Sequence, residues 1–183
     1  MPYCNIIAVA PTGIEKTAEY LVDANHEHHK EYNLTPLRPR GAKSVEAFFA
    51  RVRSAFDRAA ARRVGRAPMN AALWIIVRTP DGTWLTEAEK AALEAAACEE
   101  AAHGEPPIAI MNWHENRSTG SADLNLLVCA FSQDGHLLRD RDTNPITSLR
   151  HRIDSVTDLL NRRRRERGDR EIQTMREAQI GAW

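Results

Sequence analysis

Apolar and polar positions along the chain separate it into a series of short elements. Residues 3–10 form a compact apolar run closed by PTG, which predicts a strand. Residues 14–32 carry helix formers with no breaker before Pro36, and predict a helix that grows polar toward its end. The stretch NLTPLRPRG holds two prolines and a glycine and reads as an irregular connector. From residue 44 to 64, Val45, Phe48, Phe49, Val52, Phe56, Ala59 and Ala60 recur at three- and four-residue steps, which predicts an amphipathic helix with Ser44 as its N-cap.

Residues 72–79, ALWIIVRT, are short, apolar and rich in β-branched side chains, the pattern of a buried strand. Thr86 with Glu89 three positions on is a capping box, and predicts a helix to about residue 102, stopped by Gly104 and two prolines. Residues 108–113 and 124–131 are two further strands, and Leu137–Leu138 begins a shorter one after the SQDG turn. Thr147 or Ser148 caps a last long helix with Ile146, Leu149, Ile153, Val156, Leu159 and Leu160 as its stripe. The tail after Gly168 is weakly patterned.

The predicted order is strand, helix, helix, strand, helix, strand, strand, helix. It points to an α+β fold, a mainly antiparallel sheet with helices packed on one face. A chain of 183 residues is most simply one domain spanning 1–183, here with 147–183 as a basic C-terminal helical extension.

Composition changes this picture little. Hydrophobic content of 43% and charged content of 27% fit an ordinary globular protein, and no apolar run reaches the length of a membrane span. The N-terminus reads as a first strand, not a signal peptide. Cys4, Cys98 and Cys129 lack metal-ligand spacing, and their odd number argues against a disulfide framework. Buried reduced thiols and a cytoplasmic location are the expectation.

Charge changes it more. The net charge is zero, but residues 38–66 carry nine basic side chains against two acids, and residues 150–176 carry nine arginines against five acids. Residues 81–115 carry eight acids against one lysine. Such a polarised molecule can hold a polyanion on one face, and arginine's planar fork suits phosphate. Solvated helix faces would give the same counts, so the charge leaves both readings open.

The candidate chemistry sits at IAIMNWHENRSTGSADLNLLVCAF, residues 108–131. Asp123 and Asn125 are two apart and share one face of a strand, while Leu124 and Leu126 take the other. If the two flanking strands pair antiparallel, His114 approaches both across the ladder. Histidine, carboxylate and amide oxygen together can bind a divalent ion, with the oxygens favouring Mg²⁺ or Mn²⁺. The alternative is a set of turn-flanking polar residues with no ligand.

Residues 68–138 resemble the catalytic half of plasmid mobilisation relaxases, the Mob/Pre-type HUH endonucleases, whose fingerprint runs apolar strand, H-x-D-E, S/T-P turn, H-x-H, apolar strand, D/N-G turn. Here His114 falls on the leading histidine, ST on the turn, Asp123-Leu124-Asn125 on the H-x-H pair, and QDG on the last turn. Upstream, the strand and helix of ALWIIVRTPDGTWLTEAEK follow the family's order.

The resemblance implies metal-dependent, site-specific nicking of single-stranded or hairpin DNA at a transfer origin through a covalent 5′-phosphoryl adduct. It also implies conjugation partners among other mobilisation proteins. It makes His114, Asp123 and Asn125 the metal ligands, with Mg²⁺ or Mn²⁺ as the ion. Two of the family's three histidines are Asp and Asn here, and a neutral asparagine is a weak ligand. The alternative is therefore a catalytically inactive DNA-binding relative that has lost the metal site.

The segment HEHHKEYNLTPLR resembles the family's nucleophile region. The longer stretch YLVDANHEHHKEYNLTPLRPRG offers His26 first, then His29, with Tyr32 and Tyr20 as the tyrosine options. On a helix His26, His29 and, less closely, Tyr32 share a face; His28 points elsewhere, and that spread argues against a separate zinc site. Arg38, Arg40, Arg162, Arg163, Arg164 and Arg165 would contact phosphates, the last four because a run encircling a helix stays exposed. A third reading is an unrelated α+β protein with a chance hairpin.

Overall fold

The computed structural model describes residues 2–22, 30–34, 45–63, 70–102, 104–116, 118–137 and 145–180. Five strands carry it: β1 (Tyr3–Val9), β2 (Lys30–Tyr32), β3 (Ala72–Arg78), β4 (Ala109–Asn116) and β5 (Ser121–Cys129). Five α-helices surround them: α1 (Ile14–Leu21), α2 (Val45–Ala61), α3 (Glu87–Ala101), α4 (Pro145–Arg167) and α5 (Met175–Ile180). The sheet order is β1-β3-β5-β4-β2, and every neighbouring pair is antiparallel. The fold class is α+β, as the pattern predicts.

Helices cover both faces of the sheet, which corrects the one-face expectation. The pleat sorts the side chains. Cys4, Leu73, Ile75, Val77, Ala109, Met111, Leu124, Leu126 and Val128 project to one side and meet Leu93, Ala97, Leu149 and Ile153 of α3 and α4. Val9, Ala72, Ile110, Leu127 and Cys129 project to the other and meet Ile14, Ala18, Leu21, Val52 and Phe56 of α1 and α2. Where helices cover both faces, at residues 108–111 and 126–129, the strands are buried throughout and their sequences run as continuous apolar stretches.

The expected helix over 14–32 ends at Leu21, and Lys30–Tyr32 is instead an edge strand paired with Met111, Ile110 and Ala109. No breaker ends α1. Long-range polar groups take its last carbonyl, as described below, and strand pairing claims the residues beyond. At the other end of the chain, Asn161 exchanges hydrogen bonds with the backbone of Ile172 (both 2.8 Å), and Asp154 accepts from the amides of Met175 and Arg176. These contacts dock α5, which the weak patterning of the tail does not predict. Leu160, Ile172 and Met175 thereby join the same core as Leu149 and Ile153. Leu159, counted in the apolar stripe of α4, is exposed. The capping box at Thr86 forms as expected. Ser44 and Leu138 lie outside the described residues. Among the described residues no helix is long and apolar enough to cross a membrane.

Candidate metal and nucleic-acid site

β4 and β5 form a hairpin longer than the sequence predicts, running to Asn116 and from Ser121. The turn explains the extension. Asn116 Oδ1 accepts from the amides of Ser118 and Thr119, the amide of Gly120 donates to the Asn116 carbonyl at 2.8 Å, and Gly120 adopts φ +64°. Asp123 therefore lies inside the ladder. It pairs directly with His114, and Asn112 pairs with Asn125. These four side chains share one face of the sheet with Arg78, Ile76 and Trp74 of β3.

α1 and α2 cover only part of that face. Tyr3 and Ile7 of β1 are 40% and 37% exposed, and Tyr20 at the end of α1 is 58% exposed. The polar residues stand at the border between the covered and the open half. Asn112 Nδ2 donates to the carbonyl of Leu21 at 3.0 Å, and His114 Nε2 lies 3.3 Å from the same oxygen. That carbonyl is one of the groups a helix end leaves unsatisfied. A proton on Nε2 serves it and leaves the Nδ1 lone pair turned toward Asn125 Nδ2 at 3.4 Å.

Asn125 is buried, and its orientation follows from Trp74, whose Nε1–H donates to Oδ1 at 3.2 Å. Its Nδ2 then faces His114 and the Asp123 carbonyl. The amide oxygen expected to serve as a ligand is thus committed to Trp74, and only a turned amide would offer it to an ion. Asp123 is the opposite case. Its Oδ1 is buried and accepts no hydrogen bond; Arg78 Nε stands 3.7 Å away, too far for one. Burial pushes the Asp123 carboxyl up, while Arg78 and His114 pull it back and Asp81 adds to the rise.

Two donors therefore fit a divalent ion. They are the Nδ1 of a histidine whose other nitrogen is anchored on a backbone carbonyl, and a carboxylate oxygen that accepts no hydrogen bond. Among the described residues no group of three or more His, Cys, Asp and Glu side chains is placed to hold a metal. The remaining positions would fall to water and substrate oxygens, which suits Mg²⁺.

Of the nucleophile candidates, His26 and His29 lie outside the described residues, as do Arg38 and Arg40. Tyr32 pairs with Ala109, so it faces α3, on the side of the sheet away from His114. Burial, followed by Cys98 and Glu94, pushes its hydroxyl up to about 12. Tyr32 is not brought to the pair. Tyr20 is: its ring meets His114 edge-on at 5.5 Å and Trp74 at 5.2 Å.

The arginine run divides. Arg162, Arg163 and Arg165 are exposed, with Arg165 paired to Glu171 at 2.7 Å. Arg164 is buried, which corrects the expectation that the run stays on the surface. It grips Glu89 through Nε and Nη2 at 2.8 and 2.7 Å and also donates to the carbonyls of Arg170 and Trp84. Burial raises the Glu89 carboxyl, but the hydrogen bonds from Arg164 and the Thr86 amide outweigh it and hold the group at about 2. The three cysteines are free and buried, and burial pushes each thiol up to about 12, leaving them unreactive.

Sequence reasoning does not single out Asn112 or Trp74 as site residues. The mirrored spacing of Asn112-Trp113-His114 and Asp123-Leu124-Asn125 is the available signal for the first. Nothing local marks the second.

No protein-family model matches the chain, and no curated protein matches it. Among solved structures, the chain is similar to the MobM relaxase domain (MOBV; Mob_Pre), bound to plasmid pMV158 oriT DNA (23nt) in a Mn-bound crystal structure. The identity is 16%, the match covers 93% of this chain and 86% of that one, and the TM-score is 0.46.

Proposed function

We propose that this protein is a relaxase-like DNA-binding protein whose half-open sheet face offers His114 and Asp123 as a two-ligand divalent-ion site to a DNA phosphodiester. The observation that carries the reading is the buried Oδ1 of Asp123, which accepts no hydrogen bond and is held only by the longer Arg78 ion pair, directly across the ladder from His114. A buried acceptor without a hydrogen bond costs about 1–3 kcal/mol, which the Arg78 ion pair at 3.7 Å offsets only in part. A cation would meet it.

A bound Mg²⁺ or Mn²⁺ would supply Lewis-acid stabilisation of the charge developing on a phosphate oxygen. The chain's own groups do the rest. Leu21 O holds the His114 ring in the tautomer that frees Nδ1, and Arg78 adds positive charge beside Asp123. Tyr20 is the tyrosine best placed to attack. Its oxygen would bond to phosphorus as the P–O3′ bond breaks, leaving a 5′-phosphotyrosine, with its proton passing to the departing oxygen or to water. His26 and His29 are the competing attackers. Arg162 and Arg163 would contact the strand's backbone.

One observation favours a second reading, a DNA-binding protein that does not cut. The Asn125 amide turns its donor toward the His114 lone pair, and Trp74 occupies its oxygen, so an ion must displace an existing bond.

A nicking assay on supercoiled DNA and a single-stranded oligonucleotide pool, with Mg²⁺ or Mn²⁺, separates the readings. The wild type would run beside His114→Ala, Tyr20→Phe and His26→Ala. A metal-dependent nick that leaves protein on the 5′ end and disappears in His114→Ala supports the first reading, and the attacking group is the one whose variant forms no adduct. Salt-sensitive binding without cleavage supports the second. Neither binding nor cleavage sinks both.

A further inference from the structure

Beyond Asp123, at the end of the sheet, the loop from β3 to α3 (residues 79–86) folds against the tip of the β4–β5 hairpin. The amide of Gly82 donates to the Thr119 carbonyl at 2.7 Å, and Thr79 exchanges hydrogen bonds with the backbone of Ala122. The loop carries Trp84, which at 63% is the most exposed large hydrophobic side chain among the described residues. We infer that Trp84, with the guanidinium of Arg170, is a base-stacking subsite for single-stranded DNA, the indole taking one nucleobase and Arg170 the neighbouring phosphate. The subsite rests on the DNA reading above, because it flanks the phosphodiester assigned to His114 and Asp123.

The fold holds both side chains in place. The indole lies against Gly120, where a Cβ would stand 3.2 Å from both Cε2 and Nε1 of Trp84 and 3.3 Å from the Gly82 Cα. A Cβ on Gly82 would in turn stand 3.0 Å from Arg170 Nη1. Both glycines are in the left-handed region, at φ +64° and +73°, and their bare backbones bring the indole and the guanidinium to one loop. Arg164 anchors the pair. Buried and clamped on Glu89, it donates through Nη2 to the Trp84 carbonyl and through Nη1 to the Arg170 carbonyl at 2.8 Å. One buried guanidinium thus fixes the backbone beneath both groups, while most of the indole stays in solvent.

Every nucleobase presents a π-face, so an indole already held in position can stack bases of any sequence, and little ordering entropy is lost on binding. Arg170 supplies the charge. It is exposed and forms no ion pair among the described residues, since Asp169 is taken by Arg167 and Glu171 by Arg165, each at 2.7 Å. Its free fork suits a phosphate. From Asp123 back to Gly120 the chain covers about 10 Å, within reach of a nucleotide flanking the bound phosphodiester. The surface between them is open. Arg78 and Asp123 are partly exposed and Asp81 is 59% exposed, with its charge set against Arg78 at 3.9 Å.

The test compares a short oligodeoxythymidylate with an abasic strand of the same length. Binding of each is measured by fluorescence anisotropy against salt, for the wild type, Trp84→Leu, Trp84→Phe and Arg170→Gln. The wild type should prefer the strand with bases by about tenfold. Trp84→Leu should lose most of that preference while binding the abasic strand as the wild type does, and Trp84→Phe, which keeps a smaller ring, should retain part of it. A folding defect would weaken both strands alike, so a lost preference reports the stack itself. Arg170→Gln should lower the slope of log affinity against log salt by about 0.7 on both strands, the share of one phosphate. A preference that Trp84→Leu leaves intact overturns the subsite and leaves the DNA reading standing. A slope unchanged by Arg170→Gln removes the guanidinium from it. A wild type that binds neither strand rejects the DNA reading and the subsite with it.

Discussion

The two faces of the sheet solve the same problem in opposite ways. On the α3/α4 side, apolar side chains fill the interface and the charged groups drawn inside are fully matched. Arg164 and Glu89 are both buried and share two hydrogen bonds, and the remaining donors of Arg164 reach backbone carbonyls. On the α1/α2 side, the helices stop short. Polar groups gather at the border, and one buried carboxylate oxygen, Asp123 Oδ1, accepts nothing. On the closed face the buried charges are hydrogen-bonded; on the other face Asp123 Oδ1 is held only by the longer Arg78 ion pair.

The sharpest way to break this contrast is Arg164→Leu. Glu89 would keep only Arg167 and the Thr86 amide, and losing the buried guanidinium should cost about 3 kcal/mol, read from the urea unfolding midpoint. The pH dependence has a definite sign. A carboxyl held at about 2, below its ordinary 4.5, contributes stability at higher pH and loses it as pH falls from 4.5 toward 2. The wild type should keep that contribution down to this window, and the variant should show a smaller one, supplied by the Thr86 amide and Arg167. A variant as stable as wild type at pH 7 would mean that the pair is not the clamp of the closed face.

Next in size, Leu124→Ala on the closed face should cost about 2–5 kcal/mol. Tyr20→Ala on the open face should cost only about 1 kcal/mol, because that ring is more than half exposed and keeps edge contacts with Trp74 and His114. Equal losses from the two would erase the difference between the faces. The open face should instead respond to metal. Mn²⁺ at a hundredfold excess over its dissociation constant should add about 2.7 kcal/mol to the wild type and nothing to Asp123→Asn, read by thermal unfolding. Without metal, Asp123→Asn should be no less stable than wild type. A destabilised Asp123→Asn would show the carboxylate to be structural. A smaller loss than at Leu124 is expected from Thr86→Ala, which removes the cap of α3 at a cost of about 1 kcal/mol, because Thr86 organises the helix that carries Glu89.

Much of the fold is readable because it follows local periodicity. The steps of Val52, Phe56 and Ala59 place α2, the apolar run at Ala72 places β3, and Thr86 with Glu89 marks the start of α3. The pairing of His114 with Asp123 is also within reach, since a short hairpin turn constrains the register of its strands. The edge strand at Lys30–Tyr32 is not, because three polar residues carry no period and take their conformation from the neighbouring strand.

The sequence alone determined the α+β class, the central strands and the face shared by Asp123 and Asn125, all of which depend on residues close together in the chain. Only the tertiary structure decided how the candidate groups are spent. Trp74, fifty-one residues away, takes the oxygen of Asn125; Glu89 draws Arg164 inward from seventy-five residues away. Leu21 orients His114 across ninety-three. Local patterning sets where a side chain points. Whether it is buried, paired or left open depends on what distant segments bring to it, and no short window of sequence carries that information.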